Sequence, residues 1–398
     1  MSARLALALA LTLTAGCASG LAPSAPAERL TDADLTVAWS RDGNRDDGDF
    51  SEQLVLRGVL DGGGAVYLRF RVTNLAGADG RAELSLALTD EDGRSLAWSR
   101  TADRGAWQAG TDRFEVRFEG ARLTVGVGRA ELTIAEDGLR VALDLRGFAE
   151  ALRPAGGGVA LGGTTYVTTI PVPRGALGVE VDAAPDRWRP RAGPPEGEGE
   201  DATAPSPEAP DAPPPTSGPE RWQADGVGFV EHRAGNLPPY LLAQRWYNVA
   251  SIGDDVTLLL SAFERPLPPD APPGAVPEVR GWLFAADDDG LLLHAPDVAL
   301  TAEGFRPDDV SDYLLPAIVR VAAPALGLRG VFALGPLSAR TDDLGQLKKL
   351  ERLVVRRFMQ PFTFRFARAR WLLRVQPDSA RARDLRGAGT FLFQQVRR

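Results

Sequence analysis

Short runs of alternating apolar and polar residues recur along most of the chain, and they restrict the fold more than any other feature. In Val66–Val72, valine, leucine and phenylalanine alternate with tyrosine and arginine, and Phe114–Phe118 repeats the pattern. Successive side chains of a strand point to opposite faces, so each run has one buried and one hydrated face. Pairs such as Asp61–Gly62 mark turns between the runs. Regularly spaced short strands predict an all-β sandwich or barrel.

A segment rich in proline, glutamate and alanine divides the chain. Residues 191–220 contain no aromatic residue and no aliphatic residue larger than alanine. Such a segment cannot bury a core, so we predict a disordered linker. The β pattern occupies residues 31–190 before it and residues 221–398 after it. Each part is long enough to fold as an antiparallel β domain with its own core.

One α-helix is predicted, late in the second domain. Asp343 can cap its first turn, with Gln346 at the capping-box position, and Pro361 ends it. Between them, apolar residues recur at the helical spacing, namely Leu344, Leu347, Leu350, Val354 and Phe358. A mostly antiparallel chain with one late helix is typical of calycin-type barrels.

The remaining faces of this helix are basic. From Arg340 to the C terminus there are fifteen Lys and Arg but five Asp and Glu, although the whole chain has a net charge of −8. The cations can rest on anionic lipid head groups. Alternatively, they are solvated while the leucine stripe packs on the barrel, or they pair with the acidic linker. The residues expected at a membrane surface are Lys348, Lys349, Arg352 and Arg356.

The N terminus predicts export and lipidation. An arginine, the apolar run Leu5–Thr14 and small residues precede Cys17, the single cysteine. This pattern is typical of a lipoprotein signal peptide over residues 1–17, and residues 18–30 then form a flexible tether. The alternative is an ordinary signal peptide with an incidental cysteine. Lipidation of Cys17 places the protein on a bacterial membrane, on the periplasmic side or the cell surface.

Several longer motifs resemble one family. They are "VYLRFRVTNLAGADGRAELSLALTDEDGRSLAWSR" and "IPVPRGALGVEVD" in the first half, and "GVGFVEHRAGNLPPYLLAQRWYN", "RTDDLGQLKKLERLVVRRFMQPFTFRF" and "GTFLFQQV" in the second. In this order they resemble the lipocalin-like superfamily of hydroxyneurosporene synthase (carotenoid hydratase), AttH-like proteins and survival-factor-like ceramide carriers. Together they cover most of residues 50–398.

The resemblance implies two lipocalin-like antiparallel barrels packed on each other, with an apolar ligand space in or between them. Members of the family carry lipids, or catalyse the hydration, cyclisation or rearrangement of apolar molecules. This chain departs from the family pattern in two places. Ala234 stands where relatives often have tryptophan, and the acidic linker separates domains that are nearly contiguous in relatives.

Glu231 and His232 are the candidate acid–base residues. They are adjacent on the predicted strand Gly226–Arg233 and face opposite sides, so only one can point into a barrel. If Glu231 points inward, burial raises its pKa, as a general acid for an alkene requires. Alternatively, Glu231 is a structural carboxylate that bonds the turn at Gly235–Asn236, and His232 lies on the hydrated face.

A set of aromatic residues could line the ligand space, because flat rings offer a large apolar area and a polar tip. The same residues would look identical in sequence as ordinary core. The candidate ligand-binding residues, with one amide from the intervening turn, are Phe229, Asn236, Tyr240, Trp246, Tyr247 and Trp282.

Two histidines and one cysteine argue against a zinc site of the usual kind, and we expect no metal and no cofactor. Asp42–Asp49 has the alternate carboxylates of a calcium loop, but its glycine is one place late and no glutamate completes it, which favours an acidic turn. Nucleotide-binding and nucleophile-elbow motifs do not occur.

Three functions remain open. The first is a membrane-tethered carrier of an apolar lipid or isoprenoid, with no nucleic-acid partner. The second is a hydratase, cyclase or isomerase of an apolar polyene or terpenoid that uses Glu231 as its acid. The third is a scaffold that binds other envelope proteins.

Overall fold

The computed structural model describes residues 27–41, 43–74, 79–155, 157–161, 164–189, 220–236, 243–264, 272, 277, 279–311, 313–342, 360–376 and 383–397. Several predictions lie outside the described residues. These are the signal peptide with Cys17, most of the tether, the linker up to residue 219, Tyr240, and the late helix with Lys348, Lys349, Arg352 and Arg356. Within the described ranges, no helix has the length and hydropathy that a membrane crossing needs.

Antiparallel strands dominate the described residues, as the alternation predicted. Helical structure there is limited to 3₁₀ turns at Asp32–Asp34, Ala38–Ser40, Asp61–Gly63, Pro185–Arg187 and Pro324–Leu326. The strands of the first sheet are β1 (Glu28–Arg29), β2 (Ser51–Leu60), β3 (Ala65–Thr73), β4 (Arg81–Thr89), β5 (Ser95–Ala102), β6 (Gln108–Ala109), β7 (Phe114–Phe118), β8 (Ala121–Gly126), β9 (Arg129–Glu136), β10 (Leu139–Gly147), β11 (Leu152–Arg153), β12 (Gly158–Leu161), β13 (Thr164–Ala183) and β14 (Glu220–Gly235).

The first sheet curls into an open half-barrel around one apolar core. Its main path runs β5-β4-β3-β2-β14-β13-β10-β9-β8-β7-β6, with β1, β11 and β12 at the margins. On β3, Val66, Leu68, Phe70 and Val72 are buried in the core, whereas the residues between them are partly exposed. The predicted division of this run into a buried and a hydrated face is therefore confirmed.

The strand that was expected to open the second domain lies in the first sheet. β14 pairs along its length with β13 and with β2. Residue 220, which the sequence assigned to the linker, already belongs to this strand. β14 thus belongs to the first sheet although most of it follows residue 220, and the first strand of the second sheet begins at Arg245. The physical reason is that β14 satisfies the backbone groups of both neighbours and adds Val230 to the first core.

The second sheet closes into an eight-stranded barrel. Its strands are β15 (Arg245–Ile252), β16 (Thr257–Glu264), β17 (Val279–Asp287), β18 (Gly290–Glu303), β21 (Ile318–Ala323), β22 (Leu328–Ala333), β24 (Gln360–Val375) and β25 (Arg383–Arg397), with β23 (Leu337–Asp342) beside β24 and a separate hairpin of β19 (Arg306–Pro307) and β20 (Leu314–Leu315). Closure comes from β22, which pairs with both β21 and β24. The interior is packed with buried rings from Tyr247, Phe332, Phe364, Phe391 and Phe393.

An apolar cluster and a buried arginine are among the contacts that join the two barrels. Ile170 and Phe229 of the first sheet pack with Leu259, Trp282 and Phe284 of the second.

Arg174 on β13 has a fully buried side chain that reaches across this contact. It donates to the Asp288 carboxylate over 2.7 Å, to the Gly253 carbonyl over 2.9 Å and to the Thr257 hydroxyl over 3.2 Å. A buried cation with this many acceptors fixes the orientation of the barrels.

Asp308 makes the second barrel sensitive to acid. It is buried, and it accepts hydrogen bonds from the Ser311 hydroxyl (2.6 Å) and from Arg340 (2.7 Å). Burial opposes the charge, but the bonds from Ser311 and Arg340 outweigh it and hold the pKa of Asp308 below its usual range. A carboxyl whose pKa is lowered by folding stabilises the fold above its unfolded pKa of about 3.9, and this contribution is lost as pH falls through the lower, folded value.

When the pH falls from about 5 to about 2, we therefore expect the free energy of unfolding to decrease less in Asp308→Asn than in the wild type. Chemical denaturation at a series of pH values measures this difference. Asp297, which pairs with Arg280 at an exposed site, offers the control Asp297→Asn. Parallel pH curves for Asp308→Asn and the wild type would contradict the assignment.

Candidate functional site

The two faces of β14 separate the two candidate acid–base residues. Val230, His232 and Ala234 point into the first half-barrel, because they pack against its core or its buried polar groups. Phe229, with Glu231 two residues further along the same face, points toward the second barrel. The expectation that only one of Glu231 and His232 faces inward therefore holds, and His232 is the inward one.

His232 forms a buried pair with Glu52, a residue that the sequence analysis did not single out. The ring nitrogen Nε2 lies 2.8 Å from Glu52 Oε1, and both side chains are buried. The same carboxylate accepts the backbone N–H groups of Ala38 (2.9 Å) and Trp39 (2.8 Å). Because a carboxylate only accepts hydrogen bonds, we assign the proton of the imidazole to Nε2.

The other ring nitrogen of His232 is therefore the basic one. Nδ1 lies 3.3 Å from the Thr169 hydroxyl, which is a long hydrogen bond. The ring also meets Phe114 edge to face, with 5.2 Å between ring centres. The imidazole is thus held on one side by a carboxylate and on another by an aromatic ring. Its lone pair remains beside Thr169.

A pocket of about 170 Å³ opens beside this pair. Its lining combines buried strand residues with the segment that precedes β2, and includes Thr169, His232 and Asn236 together with Arg41, Asn44 and Arg153. The guanidinium Nε of Arg153 is buried without a hydrogen-bond partner among the described residues. Another nitrogen of Arg153 donates to Glu28 over 2.6 Å. The pocket therefore presents one imidazole at its wall and one unsatisfied guanidinium N–H near it.

A chain of side-chain amides holds the segment before β2 over the pocket. Asn236 accepts the backbone N–H of Thr165 (2.8 Å) and donates to the Asp47 carboxylate (2.8 Å). The amide of Asn74 donates to the carbonyls of Asn44 and Asp47. The side-chain nitrogen of Asn74 therefore lies among the carbonyl oxygens of this segment, at the place where a calcium ion would have to bind.

Glu231 is placed differently from either interpretation of the sequence. Its carboxylate accepts two hydrogen bonds from Arg233, at 2.9 and 2.7 Å, and does not bond the turn at Gly235–Asn236. Arg233 also donates to Asn248 on the second barrel over 3.2 Å. Burial alone would lower the pKa of Arg233, but Glu231 and Tyr166 raise it above its ordinary value. Glu231 therefore forms an ion pair within β14, and it is Arg233 that reaches the second barrel.

The predicted aromatic ligand wall is divided among separate places. Trp246 lies between the barrels, with its ring centre 5.9 Å from that of Tyr166. Trp282 stacks on Phe284 in the same interface. Tyr247 is inside the second barrel, where its hydroxyl donates to Glu264 over 3.2 Å. With Phe229 in the interface, Asn236 is the one ligand-binding candidate among the described residues that lines the pocket.

Sequence reasoning missed Glu52 and Thr169, although a weak signal existed for one of them. Glu52, Leu54 and Leu56 alternate on one strand, so the carboxylate shares the apolar face of its two neighbours. A charge on the core face of a strand is costly unless it is paired, and is therefore a candidate for function. Thr169 carries no such signal.

Comparison with known proteins gives structural matches and no sequence matches. No family model matches the chain, and no curated protein matches it. The crystal structure of an AttH-like protein from Nitrosomonas europaea is 12% identical and has a TM-score of 0.50, over 94% of this chain and 98% of that one.

Two further structures align over similar lengths. They are CghA with Sch210972 (8% identical, 93% of this chain and 97% of that one, TM-score 0.47) and kievitone hydratase from Nectria haematococca (7% identical, 92% and 97%, TM-score 0.47). The match to the AttH-like protein shows the fold. The chain thus shares the fold of that protein, and its own two sheets form the two-barrel, lipocalin-like arrangement that the sequence motifs imply.

Proposed function

We propose that this chain is an enzyme that moves a proton on an unsaturated, amphipathic small molecule, as a hydratase, cyclase or isomerase does. The observation that carries the proposal is the buried contact between His232 and Glu52 at the wall of the pocket. His232 is the acid–base group, and Glu52 orients it. Glu231, the acid candidate of the hydratase hypothesis, is bound to Arg233 and lies on the other face of β14.

The arrangement suits acid–base chemistry for two reasons. Imidazole exchanges protons close to neutral pH, and a carboxylate on one nitrogen fixes which nitrogen is free. The pair is also buried beside the apolar core of the first sheet, where a polar group is retained at a cost in stability. Both features are typical of catalytic sites rather than of packing alone.

Hydration illustrates how the pocket would work. His232 Nδ1 removes a proton from a water molecule, and the water oxygen forms a bond to the electron-poor carbon of a conjugated double bond. The π electrons pass to the neighbouring carbon, which takes up the proton that the imidazolium returns. In an isomerase or cyclase the same nitrogen takes a proton from carbon and returns it elsewhere.

The size and lining of the pocket indicate the kind of substrate. Ligand pockets are usually about 300–1,000 Å³, and a pocket of about 170 Å³ takes the reacting end of a molecule rather than the whole. Arg41, Asn44 and Arg153 suit a polar end, whereas Phe50 and Val167 suit an apolar one. The carrier hypothesis, by contrast, has less support, because buried rings pack the interior of the second barrel.

The test is to compare what the wild type and His232→Gln retain when each is purified from the same host without detergent. An enzyme releases its product, whereas a variant without the imidazole is expected to keep its substrate. We expect mass spectrometry of organic extracts to find a molecule enriched in His232→Gln. The same bound molecule in equal amounts in both proteins would favour a carrier and contradict the proposal.

A further inference from the structure

Arginine side chains gather on the outer face of the first sheet, away from the pocket. Arg57 on β2 is paired across the strands with Tyr67 on β3, and its guanidinium carbon lies 5.7 Å from the centre of the Tyr67 ring. Arg233 lies on the same face of β14, which is the next strand. Besides burial, the charge of Arg365 on β24 of the second barrel lowers the pKa of Arg57. We call Arg57, Arg233 and Arg365 the arginine cluster.

The carboxylates near the cluster are already engaged. Glu231 accepts two hydrogen bonds from Arg233. Glu83, further along the same outer face, accepts from Arg69 over 2.7 Å and from Arg71 over 2.8 Å. The charge of Arg57 is therefore not matched by a carboxylate of its own among the described residues.

Polar atoms of this face are also left without partners. The Nε atoms of Arg57 and of Arg69 are both buried and have no hydrogen-bond partner within the described part of the chain. Burial lowers the pKa of Arg57, and Arg365 lowers it further, while Tyr67 and Glu231 partly offset both effects. An unmatched, partly buried cation is unfavourable until an anion joins it.

We propose that the arginine cluster binds an oxyanion, a carboxylate or a phosphate, between the two barrels. The planar guanidinium group matches both oxyanions with two parallel hydrogen bonds. The stacking of Arg57 on Tyr67 holds that plane in place. The site is distinct from the proposed active site, because His232 projects from the opposite face of β14.

The experiment is a titration of the full chain with sodium phosphate at constant ionic strength, kept with sodium chloride and followed by ³¹P NMR and by the melting temperature. We expect saturable binding. Arg57→Gln should weaken it at least about tenfold, because a charge-assisted bidentate contact is lost. Arg57→Lys keeps the charge and should retain part of the affinity. Arg320→Gln, at an exposed pair with Glu303, is the matched control and should bind as the wild type does.

A second titration with octyl phosphate identifies the source of the oxyanion. Equal affinity for both probes assigns the site to a free anion, and much tighter binding of octyl phosphate assigns it to the head group of a lipid. His232→Gln should bind both probes normally, which separates this site from the proposed activity. The inference is overturned if neither probe saturates, if Arg57→Gln binds like the wild type, or if Arg153→Gln in the pocket abolishes binding instead.

Discussion

Arg174→Ala is expected to lower the free energy of unfolding by about 3 kcal/mol, the size typical of losing a buried, multiply bonded charge. The substitution removes the donor that satisfies the Gly253 carbonyl and the Thr257 hydroxyl in the contact between the barrels. It also leaves a space where a fully buried side chain stood. Chemical denaturation followed by tryptophan fluorescence measures the change.

Arg174→Lys and Arg320→Ala are the controls for this experiment. Lysine keeps the charge but not the planar fork, so it should restore only part of the stability. Arg320 forms an exposed pair with Glu303, and its removal should cost less than about 0.5 kcal/mol. If Arg174→Ala is as mild as Arg320→Ala, the orientation of the barrels does not depend on this residue.

His232→Gln is expected to slow conversion of the substrate at least about a hundredfold, within the range for loss of a general acid–base group. Glu52→Gln should slow it at least about tenfold, because an amide no longer fixes the imidazole with its proton on Nε2. The assay follows the molecule extracted from His232→Gln by liquid chromatography and mass spectrometry. Glu52→Gln should act mainly on kcat, since Glu52 does not line the pocket.

The other histidine provides the matched control for that prediction. His294 is half-buried on β18, outside the first barrel, and burial lowers its pKa. His294→Gln should leave the rate unchanged. A loss of rate as large as that of His232→Gln would mean that either substitution acts through the fold, and a normal rate in Glu52→Gln would remove its orienting role.

The local alternation of residues is sufficient to predict the strands, but it does not predict how the strands pair with one another. The alternation of Val66–Val72 depends on neighbours two residues apart, so the sequence alone indicates which side chains are buried. β14 was recognised as a strand, but no local signal says that it pairs with β2 rather than opening the second barrel. Long-range pairing is decided by which edges need a partner, and that is a property of the whole fold.

The candidate site also divides into a part that local sequence predicts and a part that depends on long-range pairing. His232 was a candidate from its residue type, and adjacency to Glu231 correctly placed the two on opposite faces. The choice of face was not predictable, because it depends on Glu52, which lies 180 residues earlier. The aromatic residues near β15 were ambiguous for a related reason. Trp246 and Tyr247 are adjacent, so one must enter the barrel and the other the interface.

The most direct test is to incubate the molecule extracted from His232→Gln with the wild-type protein in water enriched in oxygen-18. A hydratase predicts a product heavier by one labelled water, and an isomerase or cyclase predicts a product of equal mass with a new retention time. In either case the wild type should convert the molecule and His232→Gln should not. Recovery of the unchanged molecule from both proteins would contradict acid–base catalysis by His232.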